Sequence, residues 1–160
     1  MRVTRASGTQ PALPPWRSVL LVLVGGTVGT GLREAITLAV PRVGDVPVAT
    51  VGINVVGAFL LGFLLERLAR GGPDVGTRQD LRLLVGVGTR QDLRLLVGVG
   101  ALGGFTTYSA LAMDAVLLGS RDSAAVALLY AVGTLLAGAV ASWAGITAAA
   151  RGSRREAGRT

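Results

Sequence analysis

Four apolar stretches, each long enough to cross a bilayer as a helix, limit what this chain can fold into more than any other feature. They are residues 19–40, interrupted by the adjacent Arg33 and Glu34; 46–65, without charge; 95–118, containing Asp114; and 124–150, again without charge. Each reaches the roughly 20 residues that span about 30 Å of hydrocarbon. Lipid offers the backbone no hydrogen-bond partners, so each stretch has to be helical. The expected fold class is an all-α membrane protein of four transmembrane helices. Composition agrees: 51% of the 160 residues are hydrophobic and 16% charged, where a soluble domain carries about 25% charge.

The spans divide the chain into an arm at residues 1–15, a membrane domain at 16–150 and a basic tail at 151–160. With Pro11, Pro14 and Pro15, the arm reads as disordered. A cleaved signal peptide is the competing reading of the N-terminus, because Arg2, Arg5 and Arg17 precede the apolar run. That run continues past Gly25 and Gly26, however, and three further spans follow. Topology follows from the arginines. One side would hold Arg2, Arg5, Arg17, Arg67, Arg70, Arg78, Arg82, Arg90, Arg94, Arg151, Arg154, Arg155 and Arg159, and the other only Arg42 and Arg121. Thirteen against two predicts cytoplasmic termini.

All sixteen basic residues are arginine, and the chain has no cysteine, histidine or lysine. This excludes disulfides, zinc clusters, Ser-His-Asp and Cys-His nucleophiles, the P-loop lysine and Schiff-base chemistry. An enzyme is not expected. The net charge of +7 could suggest nucleic acid, but the arginines flank apolar stretches without interleaved aromatics, as membrane topology requires.

The connection at about residues 66–94 contains an identical repeat: GTRQDLRLLVGV occupies 76–87 and again 88–99. Identity over the whole unit implies recent duplication or an artefact of sequence assembly, not the divergent period of a solenoid. Too few apolar residues separate Arg82 from Arg90 for a span, so the first copy is expected outside the hydrocarbon. In a continuous helix the second copy would face about 120° away from the first. The repeat reads as an enlarged loop or surface helix, and removing its extra arginines preserves the topology bias. Nearby, Gly98 to Gly103 matches G-x-G-x-x-G, and Asp122 follows at about the distance of a ribose-binding acid. A dinucleotide site fails on context, since a membrane-length apolar stretch follows instead of alternating strands and amphipathic helices.

Three features inside the spans carry possible chemistry. The string Gly100-Ala101-Leu102-Gly103-Gly104-Phe105-Thr106-Thr107-Tyr108-Ser109 predicts that the third helix breaks at Gly103-Gly104, because paired glycines followed by threonines continue a helix poorly. Carbonyls freed there need a partner, and broken membrane helices use such carbonyls to hold cations. Close packing through small residues is the alternative. Asn54, a lone amide in the second span, either lines a polar path or bonds a neighbouring helix. Asp114 either carries protons or lies near enough to the far interface to be hydrated. Arg33 and Glu34 either snorkel or join helix packing.

In order along the chain, Gly25-Gly26-Thr27-Val28-Gly29 with Arg33, then Thr50-Val51-Gly52-Ile53-Asn54-Val55-Val56-Gly57-Ala58-Phe59 with Gly62, then Gly100 to Ser109 resemble the CrcB/Fluc fluoride channels over about residues 19–150. The resemblance implies an antiparallel dimer in a bacterial inner membrane, with fluoride passing through pores lined by polar groups and aromatic edges. It implies a structural sodium ion held by the backbone carbonyls of Gly103 and Thr106, and a fluoride pathway through Asn54, Tyr108, Ser109, Leu111 and Thr134. Gly25, Gly26, Gly29, Arg33 and Gly57 belong to its structural motifs. No organic cofactor is implied.

The departures matter. Where the family continues Thr-Thr-Phe-Ser-Thr-Phe, this chain has Thr106-Thr107-Tyr108-Ser109-Ala110-Leu111, losing an aromatic edge and a hydroxyl. Thr134 stands where an asparagine is common. These changes put conduction through one of the adjoining pores in question, and leave a non-conducting partner subunit as one alternative. A proton-coupled four-helix exporter using Asp114 or Glu34 is the other. An antiparallel homodimer needs a chain that inserts both ways, whereas this arginine bias favours one orientation. The expected partner is therefore an oppositely oriented relative.

Overall fold

The computed structural model describes residues 15–43, 45–70, 90–121 and 123–157. Among them, four segments are long and apolar enough to span a membrane: Trp16–Ala39, Val48–Arg70, Gln91–Arg121 and Ala124–Gly152. Helix α1 is Pro15–Ala39 and α2 is Val48–Arg70. The third span is composite, with α3 at Arg90–Leu93, a π-helical segment at Arg94–Leu102, α4 at Gly103–Phe105 and α5 at Tyr108–Arg121. Helix α6 is Ala124–Ala157. The only other regular pairing among the described residues is the bridge between Val43 and Val46 in the α1–α2 loop.

The expected boundaries shift outward. Helix α1 begins at Pro15, where proline suits a first turn that has no use for its N–H. Helix α6 carries the basic tail in helical form to Ala157. The expected arm at 1–15, apart from Pro15 itself, and the first repeat copy lie outside the described residues. The second copy, from Arg90 onward, opens the third span.

Glycine brings the helices together in two parallel pairs. In the first pair, α1 meets the third span. A Cβ at Gly25 would lie 2.0 Å from the Leu96 carbonyl oxygen, and one at Gly29 2.0 Å from that of Ala101. Gly25 and Gly29 are one α-turn apart, whereas Leu96 and Ala101 are five residues apart, the repeat of an i→i+5 helix. The π-helical winding thus brings two carbonyls of the third span into register with two glycines of α1. The second pair is α2 with α6, where a Cβ at Gly145 would lie 2.2 Å from the Phe59 carbonyl oxygen and one at Gly62 2.3 Å from that of Ser142. Small residues at such crossings let backbones approach closely where hydrophobic burial drives little association.

Much of the remaining apolar surface faces outward, as lipid or a partner allows. Val19, Leu23 and Val28 on α1, and Leu128, Leu135 and Val140 on α6, are exposed. The ends of the bundle are ionic. At one, Arg17 of α1 meets the fully buried Asp92 at 3.2 Å. At the other, the α1–α2 loop makes crossed pairs with α5: Arg42 to Asp114 at 3.6 Å and Asp45 to Arg121 at 3.9 Å.

Candidate functional site at the break in the third span

The helix breaks at Thr106–Thr107, not at Gly103-Gly104. Gly103 and Gly104 stay helical, and the backbone turns extended at Thr106, with ψ 154°. The physical reason is a division of labour. A Cβ at Gly104 would lie 2.5 Å from the Gly26 carbonyl oxygen, so that glycine serves close approach to α1. The break sits instead where side chains can replace the lost helical hydrogen bonds.

Asn54 makes the principal replacement. Its Nδ2 donates to the Thr107 carbonyl at 3.1 Å, and the Thr107 N–H donates to its Oδ1 at 2.9 Å. The two backbone groups fix which end of the amide faces which partner. Thr107 Oγ1 accepts the Ala110 N–H at 3.1 Å, capping α5 at its N-terminus. Ser109 Oγ lies 3.2 Å from the same hydroxyl. On the other side, the Thr106 N–H and Oγ1 both donate to the Leu102 carbonyl, at 3.0 and 2.9 Å. Thr30 Oγ1 donates to the Gly104 carbonyl at 3.3 Å. Gly57 of α2 leaves room for the Thr106 methyl, which would sit 2.2 Å from a Cβ there.

The break bears on four successive carbonyls, those of Gly103 to Thr106. In a continuous helix the Thr107 N–H would serve the Gly103 carbonyl and the Ala110 N–H would serve that of Thr106. Both donors turn to side chains instead. The carbonyls of Gly103 and Thr106 therefore lack the donors that an unbroken helix would supply, as do those of Phe105 and of Gly104, the last of which accepts from Thr30 instead. Asn54 has two amide N–H groups and commits one to Thr107, so the second remains available to an anion.

The other residues expected on a fluoride path divide between two places. Tyr108 is 77% exposed in the single chain and Ser109 is exposed beside it, both near Asn54. Leu111 is buried in a cluster with Leu118 and Tyr130. Thr134 is also buried and donates to the Tyr130 carbonyl at 2.7 Å. Leu111, in the first turn after the break, thus packs against Tyr130, and Thr134 follows one turn beyond Tyr130 on α6.

Tyr130 belongs to a second polar cluster. Asp114 Oδ2 accepts from Thr50 Oγ1 at 2.8 Å and from the Tyr130 hydroxyl at 3.3 Å, while Arg42 approaches Oδ1. The carboxylate lies near the far-side loop, as anticipated, but it is buried and held by side chains rather than hydrated. The sequence did not mark Thr50, Tyr130 and Arg42 as partners of Asp114, although a carboxylate in an apolar span requires donors of their kind. Arg33 remains half-buried, without an ion pair to any described residue, and Glu34 is exposed.

Comparison with known proteins agrees with this architecture. Residues 20–146 match the family described as CrcB-like protein, Camphor Resistance (CrcB). The chain is 47% identical over 140 residues to "Fluoride-specific ion channel FluC 2" of Leifsonia xyli subsp. xyli, covering 87% of this chain and 88% of the relative. It is 40% identical to "Fluoride-specific ion channel FluC 1" of Cutibacterium acnes, covering 80% and 82%. To "Fluoride-specific ion channel FluC" of Xanthomonas axonopodis pv. citri it is 35% identical, covering 81% and 88%.

Proposed function

The chain belongs to the CrcB family, and on that premise we propose that it is a subunit of a fluoride channel that lets cytoplasmic fluoride leave passively. The observation that carries the reading is the reciprocal bond between Asn54 and Thr107, which organises a helix break inside a four-span membrane protein. A small, strongly hydrated anion gives up water only where several donors replace it. The uncommitted Asn54 N–H, the paired hydroxyls of Thr107 and Ser109, and the ring edge of Tyr108 are groups of that kind. None carries a full positive charge that would trap the ion. Leu111 and Thr134 would contribute where the path passes the Tyr130 region. Hydrogen fluoride enters cells as the neutral acid and dissociates there, so an anion path suffices for export and no catalytic group is needed.

The break also fits the sodium ion that the family resemblance implies. Two carbonyls without helical donors are hard oxygen ligands of the type such a cation takes. Gly103 and Thr106 would hold it, and when bound it supplies positive charge that the freed carbonyls cannot receive from water. In an antiparallel dimer the same pair from each subunit would meet near the centre. The arginine bias favours a heterodimer with an oppositely oriented relative in the inner membrane, this subunit keeping both termini in the cytoplasm.

Fluoride-electrode efflux from liposomes tests the reading, using the chain alone and with an oppositely oriented relative. Passive fluoride efflux requiring the relative is expected. Efflux from the chain alone, with tags accessible on both sides, would overturn the heterodimer. No efflux in either case would overturn the channel. The exporter alternative requires Asp114→Asn to abolish transport of an organic cation. The three protein partners held by Asp114 favour a structural anchor instead.

A further inference from the structure

Where the C-terminal turns of α2 run beside the start of the third span lies a groove of about 740 Å³, within the roughly 300–1,000 Å³ of ligand-sized sites. Leu65, Leu68, Leu95 and Val99 form apolar walls, and Gln91 and Arg94 add polar groups. Leu65 and Val99 are 39% and 53% exposed, so the walls remain open to whatever surrounds them.

The charge around Arg94 is uncompensated. Asp92, two residues earlier, turns inward to Arg17. Glu66, the acid on the adjoining part of α2, pairs with Arg70. Arg94 is exposed and makes no ion pair with any described residue. It also belongs to the arginine-rich end of the bundle, alongside Arg67, Arg70 and Arg151. An apolar cleft between helices with a free guanidinium at the membrane surface is the chemistry that selects an anionic lipid: an acyl chain occupies the walls while the headgroup phosphate meets the arginine.

We propose that this groove binds an anionic phospholipid of the surrounding leaflet. Arg94 recognises the headgroup, Gln91 donates to it, and Leu65, Leu68, Leu95 and Val99 hold an acyl chain. The site lies away from the break and does not depend on the identity of the transported ion.

Native mass spectrometry of the full-length protein, titrated in detergent with phosphatidylglycerol or phosphatidylcholine, tests this. Phosphatidylglycerol should bind more tightly, and Arg94→Gln should reduce that preference by about fivefold, the scale of one arginine at a membrane surface. Arg94→Lys should retain it. Arg151→Gln, with the same change in charge outside the groove, should alter it less than about twofold. Val99→Trp should fill the groove and weaken both lipids without changing the thermal midpoint by more than a few degrees. Equal effects of Arg94→Gln and Arg151→Gln would reduce the preference to general surface charge and overturn the site. So would occupation of the groove by a second copy of the chain, seen as a Val99→Cys crosslink between protomers.

Discussion

Asn54 shows how one side chain can act on two levels. Its amide satisfies both backbone groups of Thr107, so truncation removes a structural pair as well as a candidate donor to fluoride. Asn54→Leu is expected to destabilise the protein by about 1–3 kcal/mol for each backbone group left unpartnered, read as a lower thermal midpoint in detergent, and to abolish fluoride efflux. The Asp114 cluster offers a graded comparison. Thr50 donates at 2.8 Å and Tyr130 at 3.3 Å to the same oxygen. Thr50→Val should therefore cost more than Tyr130→Phe, the larger loss being about 1 kcal/mol. Equal melting temperatures for the two variants would contradict that ranking.

Among the helices, glycine positions that look alike in sequence should behave oppositely. Gly29 faces a backbone carbonyl too closely for any Cβ, whereas Gly31 on the same helix has nothing within 4 Å of its would-be Cβ. Gly29→Ala is expected to push α1 away from the third span at a cost of about 1–3 kcal/mol or more. Gly31→Ala should be neutral or stabilising by up to about 1 kcal/mol; thermal unfolding separates the two. The contrast also shows what could be read beforehand. The spans were legible because the bilayer imposes a length and forbids unpaired backbone. The break at Thr106–Thr107 was not, because helix propensity points to Gly103-Gly104, while the outcome depends on Asn54 reaching across from α2. The inward placement of Leu111 was equally hidden, since the face that α5 buries carries the charged Asp114 beside Leu111 and Leu118, the reverse of the usual polar-out pattern.

For the molecule as a whole, the arginine asymmetry and the ionic ends make one orientation the expected state. The chain contains no cysteine, so single substitutions report sidedness cleanly. Arg70→Cys and Ser123→Cys should react with an impermeant thiol reagent from opposite sides of the membrane, each from one side only. Labelling of either position from both sides would show dual insertion. Helix α6 has a practical consequence. Its 34 residues extend about 50 Å, well beyond the roughly 30 Å of hydrocarbon, and its late turns pass Arg67 of α2 at Gly152 before ending at Ala157. A helical protein fused in phase after Ala157 would continue that axis without a hinge, giving a small membrane subunit a rigid fiducial for single-particle imaging.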